Sequence, residues 1–80
     1  MDLGFILIST HSSDRVAVRR FLDGFGAVHS VQRIRGPYDL LIRASVRRIA
    51  EVADLLRSLP GVTGTTVCVP VTGRLVPGGA

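Results

Sequence analysis

Leu3-Gly4-Phe5-Ile6-Leu7-Ile8-Ser9-Thr10 contains an uninterrupted apolar run from Phe5 to Ile8, close to the start of an 80-residue chain. The run is short, β-branched in part and closed by two hydroxyl residues, so it reads as a buried strand. Successive strand residues point to opposite faces, which puts Phe5 and Leu7 on one side of a sheet and Ile6 and Ile8 on the other. A strand that is apolar on both sides needs cover on both. Leu40-Leu41-Ile42, inside a second strand predicted over Tyr38 to Ala44, repeats this pattern. Both belong in the middle of a sheet.

Outward from the first run, Ser12, Ser13 and Asp14 offer oxygens to the free N–H groups of a helix start. Val18, Phe21, Leu22 and Phe25 then follow at i, i+3, i+4, i+7, a stripe for the core, and Gly24 and Gly26 supply a positive-φ stop. Ala27 to Arg35 is a more polar strand that runs into the Gly36-Pro37 turn, and so forms a hairpin with Tyr38 to Ala44. Ser45 can cap a second helix with the stripe Ile49, Val52, Ala53 and Leu56, which Pro60-Gly61 ends. Val62 to Val71 is the last strand. Residues 1–71 thus form one domain, and 72–80, rich in Gly, Pro and Thr, read as a disordered tail.

The order is βαββαβ, the ferredoxin-like α+β plan: a four-stranded antiparallel sheet with the first and third strands central and two helices on one face. Two helices cover only one face. Phe5 and Leu7 cannot share a face with Ile6 and Ile8, so the face the helices leave open is predicted to be covered by a second copy, and the chain is expected to dimerise through it. An 80-residue core is thin, and burial in an oligomer would add to it.

Composition narrows the function classes. The net charge of +4 comes from ten arginines against six acids, with no lysine, and the arginines are dispersed rather than grouped. That describes a solvated surface better than a nucleic-acid footprint. The single cysteine, Cys68, excludes an internal disulfide and reads as a small buried hydrophobe on the last strand. There is no apolar stretch of the roughly 20 residues that a membrane helix needs, and no secretory leader, so the expected location is cytoplasmic. No nucleophile elbow, phosphate loop, dinucleotide fingerprint or metal-ligand spacing occurs, so no catalytic residue, metal or cofactor is predicted. His11 beside Ser12 lacks an orienting third group, and His29 reads as a surface residue. The RNA-recognition module shares the plan but needs aromatic residues exposed on its central strands, where this chain has only Phe5 and Tyr38.

Arg35-Gly36-Pro37-Tyr38-Asp39-Leu40 is by itself a hairpin turn. Together with Val28, Val31, the continuation Leu41-Ile42 and the later Leu59-Pro60-Gly61-Val62 leading to Thr65, it resembles the effector-binding (RAM) domain of the Lrp/AsnC family over nearly the whole chain. The resemblance implies face-to-face dimers assembled into octameric or decameric rings. It also implies an amino-acid effector bound near the hairpin, with Gly36, Tyr38 and Asp39 as the ligand-binding residues. Glycine would let the backbone approach a carboxylate and aspartate would pair with an α-ammonium. Three features depart from the family pattern. The first strand begins at once, which reads as a stand-alone form without the helix-turn-helix domain and hence without direct DNA binding. Val67 stands where relatives carry a second threonine, with Thr66 beside it, and Pro37 removes a backbone donor from the turn.

The expected function is therefore an amino-acid-sensing effector domain that oligomerises and modulates transcription through partner proteins, helix-turn-helix relatives among them. A ligand-free oligomerisation adaptor is the alternative. A small dimeric α+β barrel enzyme is the third reading.

Overall fold

The computed structural model describes residues 2–71. The predicted tail lies outside them. Four strands, β1 (Leu3–Thr10), β2 (Val28–Arg33), β3 (Leu40–Ser45) and β4 (Val62–Cys68), alternate with two helices, α1 (Arg15–Asp23) and α2 (Ile49–Ser58), in the order expected for the ferredoxin-like plan. They form one antiparallel sheet with the order β2-β3-β1-β4, so the two apolar runs occupy its centre.

Register decides which residues meet the helices. Ile6 pairs with Ile42 and Ile8 with Leu40. These four are buried in one cluster with Val18 and Leu22 of α1 and Ile49, Val52, Ala53 and Leu56 of α2. At Gly4 a Cβ would meet the tip of the Ile49 side chain and crowd the Cys68 carbonyl, so Ile49 would have to shift to make room for one. The opposite face presents Phe5 opposite Arg43, Leu7 opposite Leu41, and Thr66 and Cys68 of β4. Phe5 is 36% exposed there, with the Arg43 guanidinium 5.6 Å from its ring centroid.

Several local expectations are corrected. Ser12–Asp14 and Val46–Arg48 are single 3-10 turns ahead of the helices, and none of the predicted caps makes a side-chain hydrogen bond. The chain tightens into the helix through backbone bonds instead, as with the Asp14 N–H donating to the His11 carbonyl at 3.0 Å. Gly24 has φ −89°, so α1 ends through short i→i+3 bonds onto Phe21 and Leu22 rather than through a left-handed glycine. Gly61, at φ +90°, does turn the chain after α2 in the left-handed region. The strands flanking the hairpin are shorter than predicted, β2 ending at Arg33 and β3 starting at Leu40, and β4 stops at Cys68 before Pro70.

Two side chains lie elsewhere than the periodicity implied. Phe21 sits at the margin of the α1 stripe, 43% exposed, and meets Phe25 edge-on at a centroid distance of 6.2 Å. Cys68 is an exposed free thiol, because its alternation places it on the uncovered face. The core of α1 is thus carried by Val18 and Leu22. Leu22→Ala should lower unfolding free energy by about 2–5 kcal/mol, as fully buried truncations do, whereas Phe21→Ala should cost about 1 kcal/mol. Urea denaturation of the two variants measures both, and equal losses would place Phe21 back in the core.

Candidate ligand-binding site

The connection between β2 and β3 is held by one residue. The Asp39 N–H donates to the Ile8 carbonyl at 2.8 Å and its own carbonyl accepts from the Ile34 N–H at 3.0 Å, which closes the loop across 34–39. Its carboxylate Oδ2 accepts the Thr10 backbone N–H at 2.8 Å. Thr10 lies beyond the last β1–β3 pair, Ile8 with Leu40, so the aspartate satisfies a strand-end donor that β3 does not pair. Asp39 is accordingly half-buried rather than a free turn carboxylate. Oδ1 has no hydrogen-bond partner among the described residues.

Tyr38 reaches in the other direction. Its hydroxyl shares a 2.7 Å hydrogen bond with Thr66 Oγ1 on β4, so the ring spans the position of β1, which lies between β3 and β4. Thr66 pairs with Leu7 and lies on the uncovered face, whereas Val67 pairs with Ile6 and packs against the core. The threonine that stands one place early in the sequence is therefore the one that the tyrosine uses. Gly36 adopts φ +122° with open space where a Cβ would be, so glycine is required for the backbone angle and not for close approach.

Around this loop lies an open cleft of about 520 Å³ lined by Arg15, Arg33, Ile34, Arg35, Gly36, Tyr38 and Asp39. All three residues singled out in the sequence border it. The arginines were not singled out. Arg33 pairs with Leu40 and so points toward the helix-covered side, where Arg15 opens α1, and Arg35 follows two residues later in the loop. The alternation of Arg33 and Arg35 was visible in the sequence, but the approach of Arg15 depends on the β1–α1 corner lying beside the loop. Among the described residues, neither ion pairs nor side-chain hydrogen bonds engage these three guanidinium groups; the arginine–carboxylate pairs are Arg48–Glu51 and Arg57–Asp54 on and beside α2. No group of three or more potential metal-ligating side chains is found among the described residues.

The model of the Lrp/AsnC ligand-binding domain matches residues 3–73. The chain belongs to the Lrp/AsnC ligand-binding domain family. This is a family of regulatory effector domains rather than of enzymes. Among solved structures, TTHA0845 from Thermus thermophilus is similar at 24% identity over 95% of this chain and 100% of its own, with a TM-score of 0.80. The hypothetical protein PHS023 from Pyrococcus horikoshii is similar at 19% identity, covering 92% of this chain and 94% of its own, with a TM-score of 0.74. PH0061, at 17% identity and a TM-score of 0.72, is matched over 94% of this chain but only 55% of its own. At these identities the structural likeness establishes the shared fold. No curated protein matches the chain. For this Lrp/AsnC domain, no helix among the described residues is long and apolar enough to cross a membrane.

Because Asp39 braces the loop, Asp39→Ala should cost about 1–3 kcal/mol of stability, the penalty for orphaning a hydrogen-bonded polar group. Asp39→Asn keeps a carbonyl oxygen for Thr10 and should cost distinctly less. Thermal or urea unfolding of the two variants distinguishes a bracing carboxylate from a decorative one, for which both would match the wild type.

Proposed function

We propose that this chain is an amino-acid-sensing effector domain that self-associates through the uncovered face of its sheet and modulates transcription through partner proteins. The observation that carries the reading is the open cleft at the β2–β3 loop, where guanidinium groups and a carboxylate with one free oxygen stand together. An α-amino acid needs donors for its carboxylate and an acceptor for its ammonium, and these are the complements present. Gly36 sets the loop angle, Tyr38 ties the loop to β4, and Asp39 both braces the cleft and offers Oδ1 to the ligand. A cytoplasmic location fits this role.

Self-association has separate support. Phe5, Leu7 and Leu41 form an apolar centre on the open face, partly accessible in the single chain, with Arg43 and Cys68 around it. A second copy placed face to face would cover it, and ligand binding at one end of the sheet would then be transmitted through the assembly. An oligomerisation adaptor for helix-turn-helix relatives would need the same face but no ligand. The partial cover of PH0061 is consistent with the same domain also occurring within longer chains.

A thermal-shift screen of the twenty amino acids should find at least one that raises the unfolding temperature in a concentration-dependent way, as any ligand of the native state must. A flat screen with a stable oligomer would favour the adaptor. Sedimentation at micromolar concentration should show a dimer or larger, and Phe5→Glu should shift it toward monomer by placing a charge in the apolar centre. A folded wild-type monomer at that concentration would remove the face-to-face assembly.

A further inference from the structure

The charge balance of the cleft selects among amino acids. Three arginines, Arg15, Arg33 and Arg35, line the cleft together with one acid, Asp39. Three positive charges less one negative leave an excess of two. A neutral amino acid contributes one carboxylate and one ammonium and leaves that excess unchanged. Like charges held together in a cleft favour a ligand that neutralises them.

Resting on the reading of this cleft as the effector site, we propose that its ligand class is a dicarboxylic α-amino acid, aspartate or glutamate in kind. The planar guanidinium fork matches a carboxylate, and arginines entering from α1, from the end of β2 and from the loop can engage two of them. The ammonium goes to Oδ1 of Asp39, whose Oδ2 stays on the Thr10 N–H. The bound ligand carries a net charge of minus one, opposite to the excess in the cleft. None of the three arginines gives up an ion pair among the described residues to bind it.

Calorimetric titration of the full chain at low salt tests this with aspartate and glutamate, their amides asparagine and glutamine, and succinate and glutarate, which lack the amine. The expected result is that one acidic amino acid binds about tenfold or more tightly than its amide and than its amine-free counterpart, the worth of one charge-assisted hydrogen bond. Arg33→Gln and Arg35→Gln, at exposed positions, should abolish the preference for acid over amide, and Asp39→Asn should abolish the preference over the amine-free acid. An amide or another neutral amino acid that binds as tightly as the acids, and is lost in Asp39→Asn, would overturn the dicarboxylic proposal while leaving the cleft as an effector site. Equal binding of succinate or glutarate would overturn the role of the amine. Binding of no amino acid at all, or binding that survives all three substitutions, would overturn both the proposal and the site. The comparison between ligands uses the wild-type chain alone, so it decides the question even where a variant fails to fold.

Discussion

The hydrogen bond from the Thr10 N–H to the Asp39 carboxylate joins the end of the first central strand to the loop that enters the other. Without it, a half-buried strand-end donor would be unsatisfied, and the 34–39 loop would keep only the Asp39 backbone bonds and the Tyr38–Thr66 hydrogen bond. With it, the loop is held against β1, and the start of α1, five residues after Thr10, is held near the same place. The cleft exists because these three segments converge.

The sheet divides the chain's apolar residues unequally. Ile6, Ile8, Leu40 and Ile42 are sealed beneath two helices, whereas Phe5, Leu7 and Leu41 have only their neighbours and, over Phe5, the Arg43 guanidinium. Hydrophobic burial scales with the area removed from water, so the second set contributes little until something covers it. This asymmetry follows from having two helices for two faces. A small domain of this plan keeps its buried core on one face and leaves the other face of the sheet open.

The arginines show how one residue type serves different ends. Arg48 and Arg57 pair with acids three residues away on the outside of α2, contacts of small energetic worth at such exposure. Arg43 and Arg48 also lie over the rings of Phe5 and Phe25. Arg15, Arg33 and Arg35 meet at the cleft instead.

Periodicity by itself determined the element order, the central places of the two apolar runs, the separation of Ile6 and Ile8 from Phe5 and Leu7 onto opposite faces, and the inward stripe residues Val18, Leu22, Ile49, Val52, Ala53 and Leu56. These are local or alternating properties, set by side-chain direction and backbone sterics within a few residues. Gly36, Tyr38 and Asp39 were singled out by the family resemblance at the hairpin, not by any period. What only the tertiary structure decided is how distant segments meet: that Phe21 lies at the margin of its helix stripe, that Cys68 faces outward, that Tyr38 bonds Thr66, and that Arg15 joins Arg33 and Arg35. The partner of Asp39 was hidden for the same reason. Thr10 is 29 residues away in the chain, and the need for a side-chain acceptor there arises only because the pairing with β3 ends at Ile8, two residues before it.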